Sequence, residues 1–235
     1  MPVRPVGELG TTPRRRRNRR DERSRGDTRR QLLESAAECF AEKGFRDTTI
    51  RDVCARAGAN IAAINYHFAG KLALYREVFR ETSASSLEAH PLTGLPSDDP
   101  RDDLRRFILT MVARLSDSAR GARHAKLMAR EMVEPTRVLD EVVEGVIRPH
   151  LQLLEGIVAR VLGPGQRPGS PRVRAAARAI IAQILIFRNC RAVLERLHPG
   201  DTSTRRMHDR AQEVAEFSLA ALDGLRAAPR PEPAP

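Results

Sequence analysis

Between Asp27 and Tyr75 the sequence DTRRQLLESAAECFAEKGFRDTTIRDVCARAGANIAAINYHFAGKLALY leaves the backbone few choices. Leu32, Leu33, Ala36, Ala37, Phe40 and Ala41 recur at three-and-four spacing, which places one apolar face on a helix from about Thr28 to Lys43. Gly44 is expected to supply its left-handed cap, with Phe45 tucked back against it. Thr48 or Thr49 caps a second helix whose Ile50, Val53 and Cys54 point inward. Ala57 and Gly58 permit a tight turn. Asn60 then caps a third short helix, ending near Tyr66, with Ile64 on its buried side and Phe68 as the apolar closure. Lys71 opens a longer fourth helix carrying Leu74, Tyr75, Val78 and Phe79. Two short capped helices across a tight turn have the geometry of a helix-turn-helix, which presents one helix to base edges in the major groove.

The remainder reads as helical throughout. His90 to Pro100 is a proline-rich connection; Leu104, Phe107, Ile108, Met111, Val112 and Leu115 mark an amphipathic helix; a shorter one runs through Leu127 to Val133. A long apolar-periodic segment from Thr136 to Leu162 carries Pro149, which predicts a kink or break. After the GPGQRPGSP loop come two helical segments, about Arg172 to Leu197 and Thr204 to Arg226. The first is apolar around Ile180, Ile181, Ile184, Leu185, Ile186 and Phe187, wider than one packing face requires, which suits a subunit interface. No stretch alternates as a strand would, so the fold class is all-α.

Charge is concentrated rather than spread. Of a net +11, the first thirty residues hold eleven arginines against four acidic residues, hence +7. That leader, residues 1–26, lacks apolar periodicity and is expected to be disordered, as is the proline-rich tail 227–235. It can add salt-dependent attraction to phosphates, or serve only solubility. No run of apolar residues is long enough to span a membrane and no secretory pattern follows the N-terminal charges, so a soluble, cytoplasmic protein is expected. Cys39, Cys54 and Cys190 lack paired ligand spacing and read as reduced thiols, with no metal and no cofactor.

From Leu32 through Tyr75 the chain resembles the DNA-binding domain of the TetR family of transcriptional regulators. LLESAAECFAEKGF, then TTIRDVCARAGA, then INYHF followed by Lys71 and Leu74-Tyr75 carry the resemblance through their order and spacing. The combination ANIAAINYHF with AREMVEPT further resembles a subgroup named for the regulator CecR. The resemblance implies an N-terminal helix-turn-helix domain, placed at residues 27–72, followed by a larger helical effector-binding and dimerisation domain at 73–226. It implies a homodimer that binds double-stranded operator DNA and answers to a small organic effector, most often as a repressor.

The same resemblance carries DNA-binding roles onto Thr49, Arg51, Asn60, Ile61, Ala62, Ala63, Asn65, Tyr66, His67 and Lys71. Ile61, Ala62, Ala63, Asn65 and Tyr66 fall on the exposed part of the recognition helix; Arg51 reaches a base or a phosphate; Thr49, His67 and Lys71 lie phosphate-side. Arg51 can donate to guanine and Asn65 can pair with an adenine edge, whereas the alanines offer methyl contacts. The departures from the family pattern are Asn60, which preserves capping, and Asn65, which changes groove chemistry.

In the body, His124, Arg130, Glu131, Glu134, His150, Gln183, Arg188 and Asn189 are candidates to orient a ligand in an apolar helical pocket. Ion pairs with the many arginines compete for Glu131 and Glu134, and Arg188 can instead cap or pair across a dimer. No phosphate-cradling glycine loop, metal triad or nucleophile motif supports an enzyme. A helical interaction protein without DNA binding is the other reading.

Overall fold

The computed structural model describes residues 13–116, 119–200 and 203–227. Among them every regular element is helical. The helices are α1 (Pro13–Asp47), α2 (Ile50–Ala57), α3 (Ile61–Phe68), α4 (Lys71–Ala89), α5 (Pro100–Ser116), α6 (Ala119–Val133), α7 (Arg137–Val142), α8 (Arg148–Leu162), α9 (Pro171–Asn189), α10 (Arg191–Leu197) and α11 (Thr204–Ala227), with a π-helical turn at Val143–Ile147. Two compact units divide between Val78 and Phe79.

In the N-terminal unit α1 buries Leu32, Leu33, Ala36, Ala37 and Phe40. The ring of Phe40 meets Tyr75 of α4 edge-on at 4.7 Å, and Phe45 folds back to lie 4.9 Å from the same tyrosine. The first turns of α4 thus belong to this core, and the division falls beyond the expected boundary at residue 72. Helix α1 begins at Pro13 rather than near Thr28, so the part of the leader from residue 13 to 26 is helical, not disordered. Arginine is a good helix former and proline is tolerated in a first turn, which allows the helix to run back through charged sequence without an apolar face. Residues 1–12 of the leader and 228–235 of the tail lie outside the described residues. Gly44 is not a left-handed cap: its φ of 83° and ψ of 175° lie in a region open essentially only to glycine, where the backbone breaks direction inside α1.

The C-terminal unit is built on α5, α8, α9 and α11. Phe107 and Ile108 of α5, Leu154 and Val158 of α8, Ala177 and Ile180 of α9, and Ala215 and Leu219 of α11 share one core. Asp103 is fully buried at the start of α5. Burial pushes its carboxyl up, but Ser97 donates through backbone and hydroxyl at 2.9 and 2.6 Å, and Arg106 and Arg160 donate at 2.8 and 2.9 Å. Together they hold its pKa below the usual value.

The Thr136–Leu162 segment breaks as Pro149 predicts, but by widening. A π-helical turn precedes α8, whose second residue is the proline. Proline offers no N–H and its ring displaces the carbonyl one turn back, so the helix opens before it. The expected single helix Arg172–Leu197 is two, with Cys190 between them at φ −106° and ψ 15°.

Candidate nucleic-acid interface and ligand cavity

Short-range chemistry fixes α2 and α3. Thr48 is buried, and its hydroxyl donates to the carbonyls of Cys39 at 3.1 Å and Gly44 at 2.7 Å, tying the α1 break to the start of α2. Thr49 closes a capping box with Asp52: the Asp52 N–H donates to the Thr49 hydroxyl at 3.1 Å, and the Thr49 N–H donates to Asp52 Oδ2 at 2.8 Å. The Thr49 hydroxyl, the Thr49 N–H and Lys43 at 3.2 Å hold the Asp52 carboxyl down at about 2. Gly58 takes the left-handed conformation that ends α2. Asn60 Oδ1 accepts from the Ala63 N–H at 2.9 Å and starts α3, which runs past the expected end at Tyr66 to Phe68. Ala69 ends it at φ 54°, a left-handed residue with a side chain, signalled in the sequence by nothing beyond the neighbouring Gly70.

With Ile64 and Phe68 buried, Ile61, Ala62, Asn65 and Tyr66 occupy an exposed arc of α3, and Tyr66 is 70% exposed. Arg51 is exposed on α2. Ala63 and His67 are half-buried on the flank of α3. The candidate residues differ in what they have left to give. Thr49 spends both its donors on Asp52. Asn60 spends its carbonyl oxygen on the cap and keeps its amide N–H donors. Lys71 donates to the Arg46 carbonyl at 3.1 Å, lies 4.6 Å above the Phe45 ring, and is pulled below the usual lysine pKa by desolvation. One of its three donors is engaged.

A cavity of about 460 Å³ lies within the C-terminal unit, walled by residues of α4, α5, α6, α7, α8, α9 and the π-helical turn. Of the candidates for ligand orientation, His124, His150 and Arg188 line it; Arg130, Glu131, Glu134, Gln183 and Asn189 do not. Glu131 is fully buried because it accepts from the N–H and hydroxyl of Thr136, both at 2.7 Å, at the start of α7. Glu134 and Asn189 are exposed, and Gln183 donates to Ala179 O in its own helix. Sequence reading missed Arg114 and Arg178 in the wall. A signal existed: Arg114 interrupts the apolar run FILTMVARL, and Arg178 and Arg188 bracket AIIAQILIF.

Arg114 is nearly enclosed. Its Nε donates to His90 O at 2.8 Å and Nη1 lies 2.7 Å from His150 Nε2. His150 Nδ1 is 2.5 Å from Val146 O, which assigns the proton to Nδ1 and leaves Nε2 as the acceptor from Arg114. A larger open groove of about 750 Å³ runs beside Pro96, Gly156 and Arg160, but Arg160 is already committed to Asp103. Cys39 and Cys54 are buried free thiols, and Cys190 is partly exposed. Among the described residues no group of side chains forms a metal site, and no helix is long and apolar enough to cross a membrane.

Comparison with known proteins separates the two units in the same order. Residues 32–78 match the profile of bacterial regulatory proteins of the tetR family, and residues 100–222 match that of the C-terminal domain of the HTH-type transcriptional dual regulator CecR. The chain is 34% identical over 159 residues to the HTH-type transcriptional repressor Rv1474c of Mycobacterium tuberculosis, covering 60% of this chain and 84% of that one. It is 32% identical over 174 residues to the dual regulator CecR of Shigella flexneri, covering 68% and 75%. Among solved structures, the TetR family regulator PfmR of Thermus thermophilus superposes with a TM-score of 0.58 at 22% identity, over 80% of this chain and 97% of that one. The regulator FadR of Bacillus subtilis, solved in complex with stearoyl-CoA, reaches 0.60 at 18%, over 81% and 97%.

Proposed function

The chain belongs to the TetR family of bacterial regulators, in its CecR-like branch, and we propose that it acts as a homodimeric, ligand-responsive repressor of an inverted-repeat operator. Membership places it among regulators rather than enzymes. The observation that carries the DNA reading is the exposed arc of α3, where Ile61, Ala62, Asn65 and Tyr66 stand clear of a helix started by the Asn60 side-chain cap, behind an α2 started by that of Thr49. A rigid helix with a free face can bring side chains to base edges without first ordering itself.

Roles follow from the donors each residue retains. Arg51 and Asn65 read bases, Ala62 and Ala63 offer methyl contact, and Tyr66, His67, Lys71 and the amide of Asn60 serve the backbone. Thr49 acts by holding α2, since its donors are spent. A single recognition helix contacts few bases, so two copies related by a two-fold axis are required for useful specificity. The exposed Phe217 on α11 and Ile186 on α9 supply an apolar surface for that pairing. Repression is favoured because the relatives Rv1474c and AcnR are named repressors.

An effector in the cavity lowers operator affinity only through a difference in its affinity for the two states, and DNA weakens the effector by the same factor. Helix α4 carries both Lys71 and the cavity residues Ser83 and Leu87, so it is the element that such a shift must engage. The deciding measurement is titration with DNA from upstream of its own gene and with unrelated DNA at several salt concentrations. Tighter binding to the upstream DNA is expected throughout; equal affinity at every salt concentration would sink the reading.

A further inference from the structure

The cavity is apolar in most of its wall, where Met111, Met128 and Met132 offer flexible side chains that can repack around ligands of different outline. Its charge is of one sign. Arg114, Arg178 and Arg188 line it, and among the described residues no carboxylate does. His124 adds no charge at neutral pH, since burial and the Arg188 charge hold it at about 4, and His150 is engaged by Arg114 and Val146 O.

The three guanidiniums are not equivalent. Arg114 is committed to His90 O and His150, and it shapes the wall. Arg188 donates from Nη2 to Ala125 O at 2.6 Å, while its Nε is enclosed and has no partner. Burial already pulls its pKa below the usual arginine value. Arg178 is exposed and stands in the same wall, on the same helix. A buried donor on a cation is costly until an acceptor reaches it, and a planar fork suits a carboxylate or sulfate oxygen pair. A cationic ligand would meet three like charges, and a neutral one can accept from a guanidinium but leaves the charge of the wall without a counter-charge.

The geometry points to an anionic amphipath as the effector class: an acidic head taken by Arg188, with Arg178 adding its charge to the same wall, and an aliphatic or aromatic body along the methionine wall. This deepens the ligand-responsive reading above and rests on it. The chain has no tryptophan, so binding is best read by calorimetry rather than intrinsic fluorescence.

The test compares decanoate, decyl sulfate, decanol and decylammonium on the full chain without DNA. Both anions should bind roughly tenfold or more tighter than decanol, the equivalent of one charge-assisted contact, and decylammonium should be weakest. Arg188→Met should erase the preference for the anions while leaving decanol within about twofold; Arg188→Lys, which keeps the charge without the fork, should retain part of it. Should Arg188→Met melt early, Arg178→Met and the wild-type ranking decide the outcome. Equal affinity for decanoate and decanol, tighter decylammonium, no heat from either anion, or a preference that survives both methionine variants would overturn the proposal. Failure of the free protein to prefer its upstream DNA would sink the regulatory reading and leave these affinities as they are, so the two failures are distinguishable.

Discussion

His124 sets its ring edge-on to Phe79, with centroids 6.2 Å apart at 74°, and places Nδ1 3.2 Å from the hydroxyl of Thr82. Burial, and then the charge of Arg188, lowers its pKa to about 4 from an ordinary 6.5. The unfolded chain therefore takes up a proton at this ring before the folded one does. Stability is fully present above about pH 6.5 and falls as pH drops through the window to about 4, by on the order of 3 kcal/mol if this ring alone titrates. Denaturant unfolding of the wild type at steps from pH 7 to pH 4 should show that loss, and His124→Gln should lack it. An equal slope in both proteins would show that the histidine is not responsible.

Thr48 offers a cleaner test of local order, because it lies in the core and points at no ligand. Its hydroxyl donates to two carbonyls, those of Cys39 and Gly44, where α1 breaks. Thr48→Val keeps the shape and leaves a buried acceptor short of a donor, so a loss of about 1–3 kcal/mol is expected. Chemical denaturation measures it. Sequence preference on DNA should be unchanged at temperatures where the variant is folded; altered preference would mean that the α1 break tunes α3.

The features legible in the sequence are those decided within a few residues. Thr49 and Asn60 cap because a short oxygen-bearing side chain three residues before a free N–H does so wherever it stands. Phe40, Tyr75 and Phe68 sit inside because their periodicity leaves no other face. Tertiary context decided the rest. Arginine-rich sequence from Pro13 to Gly26 has neither an apolar face nor a helix breaker until Gly26, so composition spoke for disorder while propensity permitted a helix. Glu131 looked like a pocket group, yet it is consumed by Thr136 five residues on. Arg114 and Arg178 interrupt or flank apolar runs, but such a mark does not say which helices close around the charge.

On DNA, Arg51 and Asn65 should behave differently from Lys71. Both are exposed, Arg51 on α2 and Asn65 on α3, so Arg51→Ala and Asn65→Ala should each relax preference at particular base pairs, by about 1–3 kcal/mol for a good bidentate contact. Lys71→Met should weaken matched and mismatched DNA alike and reduce the salt dependence, with an added small loss of stability from its bond to Arg46 O. Binding isotherms on the upstream site, its single-base variants and unrelated DNA separate the patterns. Uniform weakening by Asn65→Ala, with base-selective weakening by Lys71→Met, would exchange their roles.

Phe217 is 66% exposed on a helix whose opposite side buries Ala215, Leu219 and Leu222 in the core of its own unit. Beside it α11 exposes Ala220, Ala221 and Gly224, and α9 exposes Ala175, Ala179, Ala182 and Ile186. Small residues on both helices allow a second copy to approach within the ordinary helix-packing distance, and an aromatic ring among them is the kind of side chain that anchors an interface. Phe217→Glu removes that ring and obliges each copy to bury a carboxylate, so dimer affinity should fall by roughly a hundredfold or more. The fold should persist, because Phe217 contributes little to the core of its own chain. Sedimentation velocity over a concentration series gives the dissociation constant, and circular dichroism checks the helices. Operator affinity should fall in parallel, since two recognition helices would then have to bind without being linked. A wild type that sediments as a monomer both free and on its best DNA, or a Phe217→Glu variant that remains a dimer of unchanged affinity, would move the interface away from α9 and α11.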